Sequence, residues 1–323
     1  MSIFLLEPDP LYGKILTVIL KRYHFEFSVL NDENELLEEI KQPGHKIILQ
    51  SISILNTELA PTIMQELTGR EDIFLVNMVD RQLEDVFNLV MNYRLRIVLA
   101  KPVNPNELVT VIRRLQRPDQ NIWFGLENYI PNITTEQHWE LNKSALIADT
   151  VNNLESLFSA WGMEFENLFE VTLAWQEVLS NAVYHSHGFT AQKEQRKPVI
   201  LPPGKRVVVH AACNDDYAGI SIRDFMGTLT PHRILESLSL AIEQRKILEE
   251  SYETGSDVSE QILDRGRGLD IIRKLSHEYY FVLKKNYSTE VIFLYDRLYH
   301  KDGDISSIKI FELGDTFNSS TIK

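Results

Sequence analysis

The chain is poor in several things that would have told a simple story. Among 323 residues there is a single cysteine, Cys213. No internal disulfide is possible, and neither is a multi-cysteine metal centre. Within the apolar run Arg206-Val-Val-Val-His-Ala-Ala-Cys213, that thiol reads as a small core residue rather than a nucleophile. Basic charge is also scarce: 33 Lys and Arg stand against 46 Asp and Glu, a formal net charge of -13. A chain this acidic lacks the broad basic face that binding nucleic acid requires. No apolar stretch approaches the roughly 18 residues of a membrane-spanning helix. The N-terminus, Met-Ser-Ile-Phe-Leu-Leu-Glu-Pro-Asp-Pro, has no positive segment of the secretory kind. These absences lead us to expect a cytoplasmic protein with no membrane contact.

What is present is an ordinary globular mixture, 44% hydrophobic and 24% charged, long enough for two domains. Up to about residue 118, short apolar runs alternate with amphipathic stretches. Ser2–Leu6, Phe25–Leu30, Lys46–Gln50, Ile73–Asn77 and Arg96–Ala100 read as strands. Between them, Asp9-Pro10, Asp32-Glu-Asn-Glu35 and Asn104-Pro105 carry helix-start chemistry, and Pro43-Gly44 and Gly69 are stops. Further helices are expected over Thr57–Thr68 and Asp80–Asn92. Strands alternating with helices predict an α/β domain with a parallel sheet, flavodoxin-like and doubly wound.

Arg117-Pro-Asp-Gln120 breaks the last of these helices and marks the boundary. Beyond it, Ile122–Leu126 reads as a strand, and Ile133-Thr-Thr-Glu136 as a polar lead-in. Amphipathic helices follow over Asn142–Ala160 and Phe169–His187. A long polar connection ends in Pro202-Pro203-Gly204. Arg206–Cys213 and Tyr217–Asp224 then form an antiparallel hairpin. Pro231–Leu248 is a helix, and the acidic, aperiodic Glu249–Asp264 reads as a mobile lid. Leu269–His277 reads as a helix, Tyr279–Lys284 and Glu290–Tyr295 as a closing hairpin, and Ile308–Phe311 as one added strand.

Three stretches carry chemistry. In Asp264-Arg-Gly-Arg-Gly-Leu269, a Gly-x-Gly turn delivers backbone N–H groups to a helix start, an anion site. In Glu177-Val-Leu-Ser-Asn181, a carboxylate and a carboxamide lie four residues apart on one helical face. In Ile220-Ser-Ile-Arg-Asp224-Phe-Met-Gly227, an alternating strand ends on an aspartate and a turn glycine. His185 and His187 have a spacing found in metal sites, but no further ligands lie nearby in sequence. They read as packing or capping residues.

Taken in order, Glu-x-x-x-Asn-Ala-x-x-His, then strand-Asp-turn-Gly, then Gly-Arg-Gly-Leu, resemble the GHKL ATPase superfamily. Within it, the resemblance is to anti-sigma-factor serine kinases and relatives fused to response regulators. It covers residues 135 to 297. The first domain resembles a response-regulator receiver, with Ala100-Lys101-Pro102 at the family's Lys-Pro. Its chemistry reads as lost. Gln50 stands at the matched third-strand position, Glu7-Pro8 keeps one of two acidic residues, and Asn77 replaces a Ser or Thr. An amide cannot form an acyl phosphate.

The organisation expected is therefore a receiver-like domain over 1–118 lacking its phospho-acceptor Asp, a linker over 119–134, a GHKL-type α/β sandwich over 135–298 and a tail over 299–323. The resemblance implies ATP and Mg²⁺ as cofactors, with Glu177 as catalytic base and Asn181 as the Mg²⁺ ligand. It places Asp224 and Gly227 at the adenine, and Arg265, Gly266, Arg267 and Gly268 at the phosphates. The partner implied is a protein, a sigma factor or an anti-anti-sigma-like antagonist, and a homodimer fits both parent families. Activity is then serine/threonine kinase or sequestration, the alternative being a non-catalytic, nucleotide-responsive scaffold. A histidine kinase core fits poorly, because no dimerising helix presents a phospho-acceptor His. Three positions depart from the pattern: Gly227 comes one place late, Ser288-Thr289 stands for Gly-Thr, and Asp270 adds a negative charge beside the glycines. These departures imply weakened nucleotide affinity.

Overall fold

The computed structural model describes residues 1–80, 83–117, 123–254, 276–297 and 307–314. The chain is of mixed α/β class and divides into two compact units, Met1–Gln120 with Asp304–Lys309, and Asn121–Gly303 with Ile310–Lys323. No helix among the described residues is long and apolar enough to cross a membrane.

In the first unit, β1 (Ser2–Leu6), β2 (Phe27–Val29), β3 (Lys46–Ser51), β4 (Ile73–Val79) and β5 (Ile97–Ala100) pair in parallel in the order β2-β1-β3-β4-β5. Every residue of β3 is buried, as expected of the central strand of a parallel sheet. The helices are α1 (Pro10–Arg22), α2 (Glu33–Lys41), α3 (Ala60–Leu67), α4 (Leu83–Asn92) and α5 (Pro105–Leu115). Phe4, Leu6 and Ile48 share a core with Leu36 and Ile40 of α2 and Ile63 of α3, so the strand period of two meets the helix period of four.

The helix starts follow their residues. Asp9 accepts from the N–H groups of Leu11 and Tyr12 at 2.8 and 3.3 Å, with Pro10 behind it. Asp32 caps Asn34 and Glu35, both at 2.9 Å. Glu35 does not close the reciprocal box onto Asp32. It reaches one residue further and takes both the backbone N–H and the side-chain amide of Asn31, each at 2.8 Å. Two residues of β11 (Ile308–Leu313) belong to this unit, Ile308 and Lys309, which lie antiparallel to β5. The Lys309 ammonium is buried against the Glu107 carboxylate of α5.

The second unit is built on a mixed sheet. β6 (Thr135–Leu141), β7 (Val207–Cys213), β8 (Tyr217–Asp224), β10 (Ser288–Asp296) and β9 (Glu278–Lys284) are antiparallel neighbours in that order, and Ile310–Leu313 runs parallel to β9. The β7–β8 hairpin turns on Asn214, whose side-chain oxygen accepts from the N–H groups of Asp216 and Tyr217. Cys213 is a buried strand residue. The helices are α6 (Leu146–Ala160), α7 (Leu168–Ser180), the one-turn α8 (Thr190–Glu194) and α9 (Pro231–Thr254). An aromatic cluster seats two of them: Phe158 of α6 and Trp175 of α7 have ring centroids 5.1 Å apart, and the Trp175 indole N–H donates to the Tyr295 hydroxyl of β10 at 2.9 Å.

Four readings of the sequence need correction here. Trp123 to Asn128 holds short helical turns, not a strand, with the Trp123 ring packed in the core. The polar lead-in Ile133–Glu136 runs into a strand, β6, which begins at Thr135. Its residues are mostly exposed, so it shows no apolar alternation, and its pairing with β7 alone defines it. The expected helix Phe169–His187 changes character at Asn181, where Asn181–His185 form a π-helical turn. Residues 249–254, expected within a lid, continue α9. The remainder of that segment, the Gly-Arg-Gly stretch and most of the helix expected over Leu269–His277 lie outside the described residues.

Candidate functional site

The site grows from α7. Trp175 turns into the core, so Glu177, two positions on, faces away from it and is partly exposed. Asn181 follows one turn later on the same side. The π-helical turn at Asn181–His185 widens the helix there, a device that often marks functional positions. It also aims the next residue, Ser186, at β8: the Ser186 hydroxyl donates to Asp224 Oδ2 at 2.9 Å. The structure thereby brings two of the three stretches into one network.

Asp224, the last residue of β8, is 3% exposed. Its Oδ1 accepts from the N–H groups of Met226 and Gly227 at 2.8 and 3.1 Å. Burial pushes its carboxyl above the usual range, opposed by these three donors and by nearby His187. A carboxylate offers about four acceptor positions, and the donors named fill three. Directly opposite on β10 is Thr289. Its hydroxyl oxygen is buried and has no hydrogen-bond partner among the described residues, and the same is true of His187 Nε2. Orphaned polar atoms next to a buried carboxylate are costly unless something polar satisfies them.

Gly227 follows this carboxylate and has a steric reason of its own to be glycine. Its φ is +60°, and a Cβ there would lie 2.3 Å from the Lys284 carbonyl and 2.6 Å from the Tyr287 nitrogen. The glycine is required by the β9–β10 turn, whose Asn286 N–H also donates to the Gly227 carbonyl at 3.0 Å.

Lys193 is a site residue that sequence reasoning missed. Its ammonium, carried by α8, donates to Glu177 Oε1 at 2.9 Å and to Asn181 Oδ1 at 2.7 Å. The expected base and the expected metal ligand therefore hold a cation supplied by the chain itself. His185 lies beside them, bonded through Nδ1 to Thr190 at 3.0 Å. Its imidazole is held below the usual range by burial and then by the Lys193 charge, so it favours the neutral form. His187 turns its Nδ1 to the Ala182 carbonyl at 3.1 Å, a capping contact. Arg265, Gly266, Arg267 and Gly268 lie outside the described residues.

The first unit has its own polar hollow, a cavity of about 560 Å³ at the C-terminal ends of its strands, bordered by Glu7, Tyr12, Ser51, Asp80 and Lys101. Lys101 pairs with Glu7 at 2.8 Å and reaches the Ser51 hydroxyl at 3.3 Å. Gln50 is not in this hollow. It is wholly buried, its amide donating to Asn77 at 3.0 Å. Ser51 is the third-strand residue that meets Lys101, and the pleat places Gln50 on the other face.

No family model matches the chain, and no curated protein matches it. Among solved structures it is similar to a complex of the Saccharomyces cerevisiae histidine phosphotransfer protein Ypd1 with the receiver domain of the response regulator Ssk1, at 13% identity over 36% of this chain and 88% of that one, with a TM-score of 0.31. It is also similar to a fusion bearing the trimeric coiled coil of yeast Spc42, at 13% identity over 50% of this chain and 96% of that one, with a TM-score of 0.32. Likeness at that level assigns neither fold nor function.

Proposed function

We propose that the second unit is an ATP-binding module of the GHKL kind, resembling anti-sigma-factor serine/threonine kinases, with a receiver-like, flavodoxin-like first unit as its regulatory partner. The observation that carries this reading is the buried Asp224, with a Thr289 hydroxyl opposite that has no partner among the described residues and a Ser186 link to the helix of Glu177 and Asn181. The order β2-β1-β3-β4-β5 and the Lys101 hollow support the receiver-like half.

In this reading Asp224 accepts a hydrogen bond from the adenine amino group, in its remaining acceptor position, and Thr289 gains the partner it lacks among the described residues. Asn181 would be the oxygen ligand of Mg²⁺ once Lys193 releases it, and Glu177 would polarise a serine hydroxyl of a protein partner, or water. Bound Mg-ATP would supply the phosphoryl group, with Arg265, Gly266, Arg267 and Gly268 as its phosphate contacts. The partner would be a sigma factor or an anti-anti-sigma-like antagonist. At the first unit, neither Gln50 nor Ser51 offers a carboxylate, so the third strand carries no acceptor for an acyl phosphate.

Lys193 favours the second reading, a non-catalytic nucleotide-responsive scaffold. While its ammonium bridges Glu177 and Asn181, it occupies their oxygens and competes with a divalent cation. Calorimetry with Mg-ATP on the full chain tests the site. Saturable binding, lost in Asp224→Asn, is expected, together with a stronger dependence on Mg²⁺ in Lys193→Met. Absence of binding at millimolar ATP contradicts the nucleotide reading. Binding without turnover, restored to turnover by Lys193→Met, assigns the wild type to the scaffold reading.

A further inference from the structure

The polar face of the β6–β7 pair carries a second constellation, independent of the nucleotide site. The antiparallel register sets His138 directly opposite His210, with Glu136 two residues before His138 on β6. Residues directly opposite, and residues two apart on a strand, share one face of a sheet, so all three side chains rise together. The two imidazoles stack with centroids 3.9 Å apart and planes 18° from parallel. Both turn Nε2 toward the same carboxylate oxygen: Glu136 Oε2 lies 2.9 Å from His210 Nε2 and 3.6 Å from His138 Nε2. One ligand atom from each of the three residues can be chosen so that all lie within 4.8 Å of one another.

We propose that Glu136, His138 and His210 bind a single zinc ion. A tetrahedral zinc site with bonds of about 2.0–2.2 Å needs its donor atoms roughly 3.3–3.6 Å apart. The two nitrogen–oxygen separations, 2.9 and 3.6 Å, already lie near that spacing, and the two imidazoles must turn out of their stack for both Nε2 lone pairs to meet one ion. Two imidazoles and one carboxylate suit a borderline cation, whereas Mg²⁺ and Ca²⁺ call for all-oxygen sets. Three protein ligands leave a fourth position for water, on the side where Glu136 and His138 are about half exposed. His210, nearly buried, is the fixed anchor. The ion would tie β6 to β7. That strand ends the sheet and buries little apolar surface of its own, so a cross-link of this kind adds to its attachment.

The test uses the full chain, treated with a chelator and dialysed, and titrated calorimetrically with zinc chloride alone. One equivalent per chain is expected, with micromolar or tighter affinity, weakened at least about tenfold in His138→Ala and in Glu136→Gln. Both residues are exposed enough to be replaced without a core defect. Cobalt should give the visible absorption of a four-coordinate site, abolished in the same variants. His185→Ala should leave zinc binding unchanged, and magnesium chloride should give no heat that zinc then displaces. Absence of zinc binding, or binding retained in both variants, overturns the proposal.

Discussion

Two buried carboxylates in the second unit work against their own charge. Glu290 is 2% exposed, its oxygens accepting from the Ser221 hydroxyl and the Gly125 N–H, with Arg223 nearby. Burial nevertheless pushes its carboxyl above the usual 4.5, as it does for Asp224 from 3.8. A folded-state pKa raised above the unfolded value means that the folded chain binds the proton more readily. This contribution to stability is fully present below the unfolded value and is lost as pH rises through the folded one. Glu290→Gln removes the titration. Its stability relative to wild type should therefore fall as pH is lowered from neutrality toward 4.5, because only the wild type recovers. Urea unfolding of both proteins across that range measures the difference. A difference independent of pH contradicts the reading.

At the scale of elements, Gly227 offers the sharpest test of the β8–β10 packing. Gly227→Ala puts a Cβ into backbone at 2.3 Å and forces a positive φ on a residue with a side chain. The expected cost is about 2–4 kcal/mol in denaturant unfolding, the sum of backbone strain and overpacking. A cost under about 0.5 kcal/mol, typical of an innocuous surface change, would show that the turn has room to move.

The same elements show what a sequence discloses and what it withholds. β3 and β10 announce themselves as apolar runs, and α1 and α5 through Asp9-Pro10 and Asn104-Pro105, because burial and capping are local chemistry. Thr135–Leu141 is polar except for Trp139 and Leu141 at its end, too short an alternation to mark a strand, so its strand character shows only in register with β7. His138 and His210 are for that reason a pair only in three dimensions. Lys193 was missed likewise: it sits in a polar connection, and its meeting with Glu177 depends on the widened turn after Ser180. Gln50 closes the apolar run by count, but the contact with Lys101 is made by the next residue, Ser51, which the pleat turns to the other face and which is itself buried.

At the scale of the whole molecule, each unit closes with residues far apart in the chain. In the first, Lys309 returns to Glu107 and both are buried. Lys309→Met leaves a buried carboxylate without this cation and should cost about 3–5 kcal/mol in urea unfolding. Adding Glu107→Leu should recover most of it, since a well-packed apolar pair replaces a buried ion pair at little net cost. A single variant as stable as wild type would mean that the pair contributes nothing.

In the second unit, the nucleotide reading depends on what Asp224 and Thr289 recognise, and a comparison of ATP with GTP on the wild-type chain tests that most directly. The adenine amino group donates to a carboxylate, whereas guanine presents a carbonyl oxygen at the same place, acceptor against acceptor. Loss of a charged hydrogen bond is worth about 1.5–3 kcal/mol, so ATP should bind at least about tenfold more tightly than GTP. Equal affinities, or preference for GTP, would contradict a site built on Asp224.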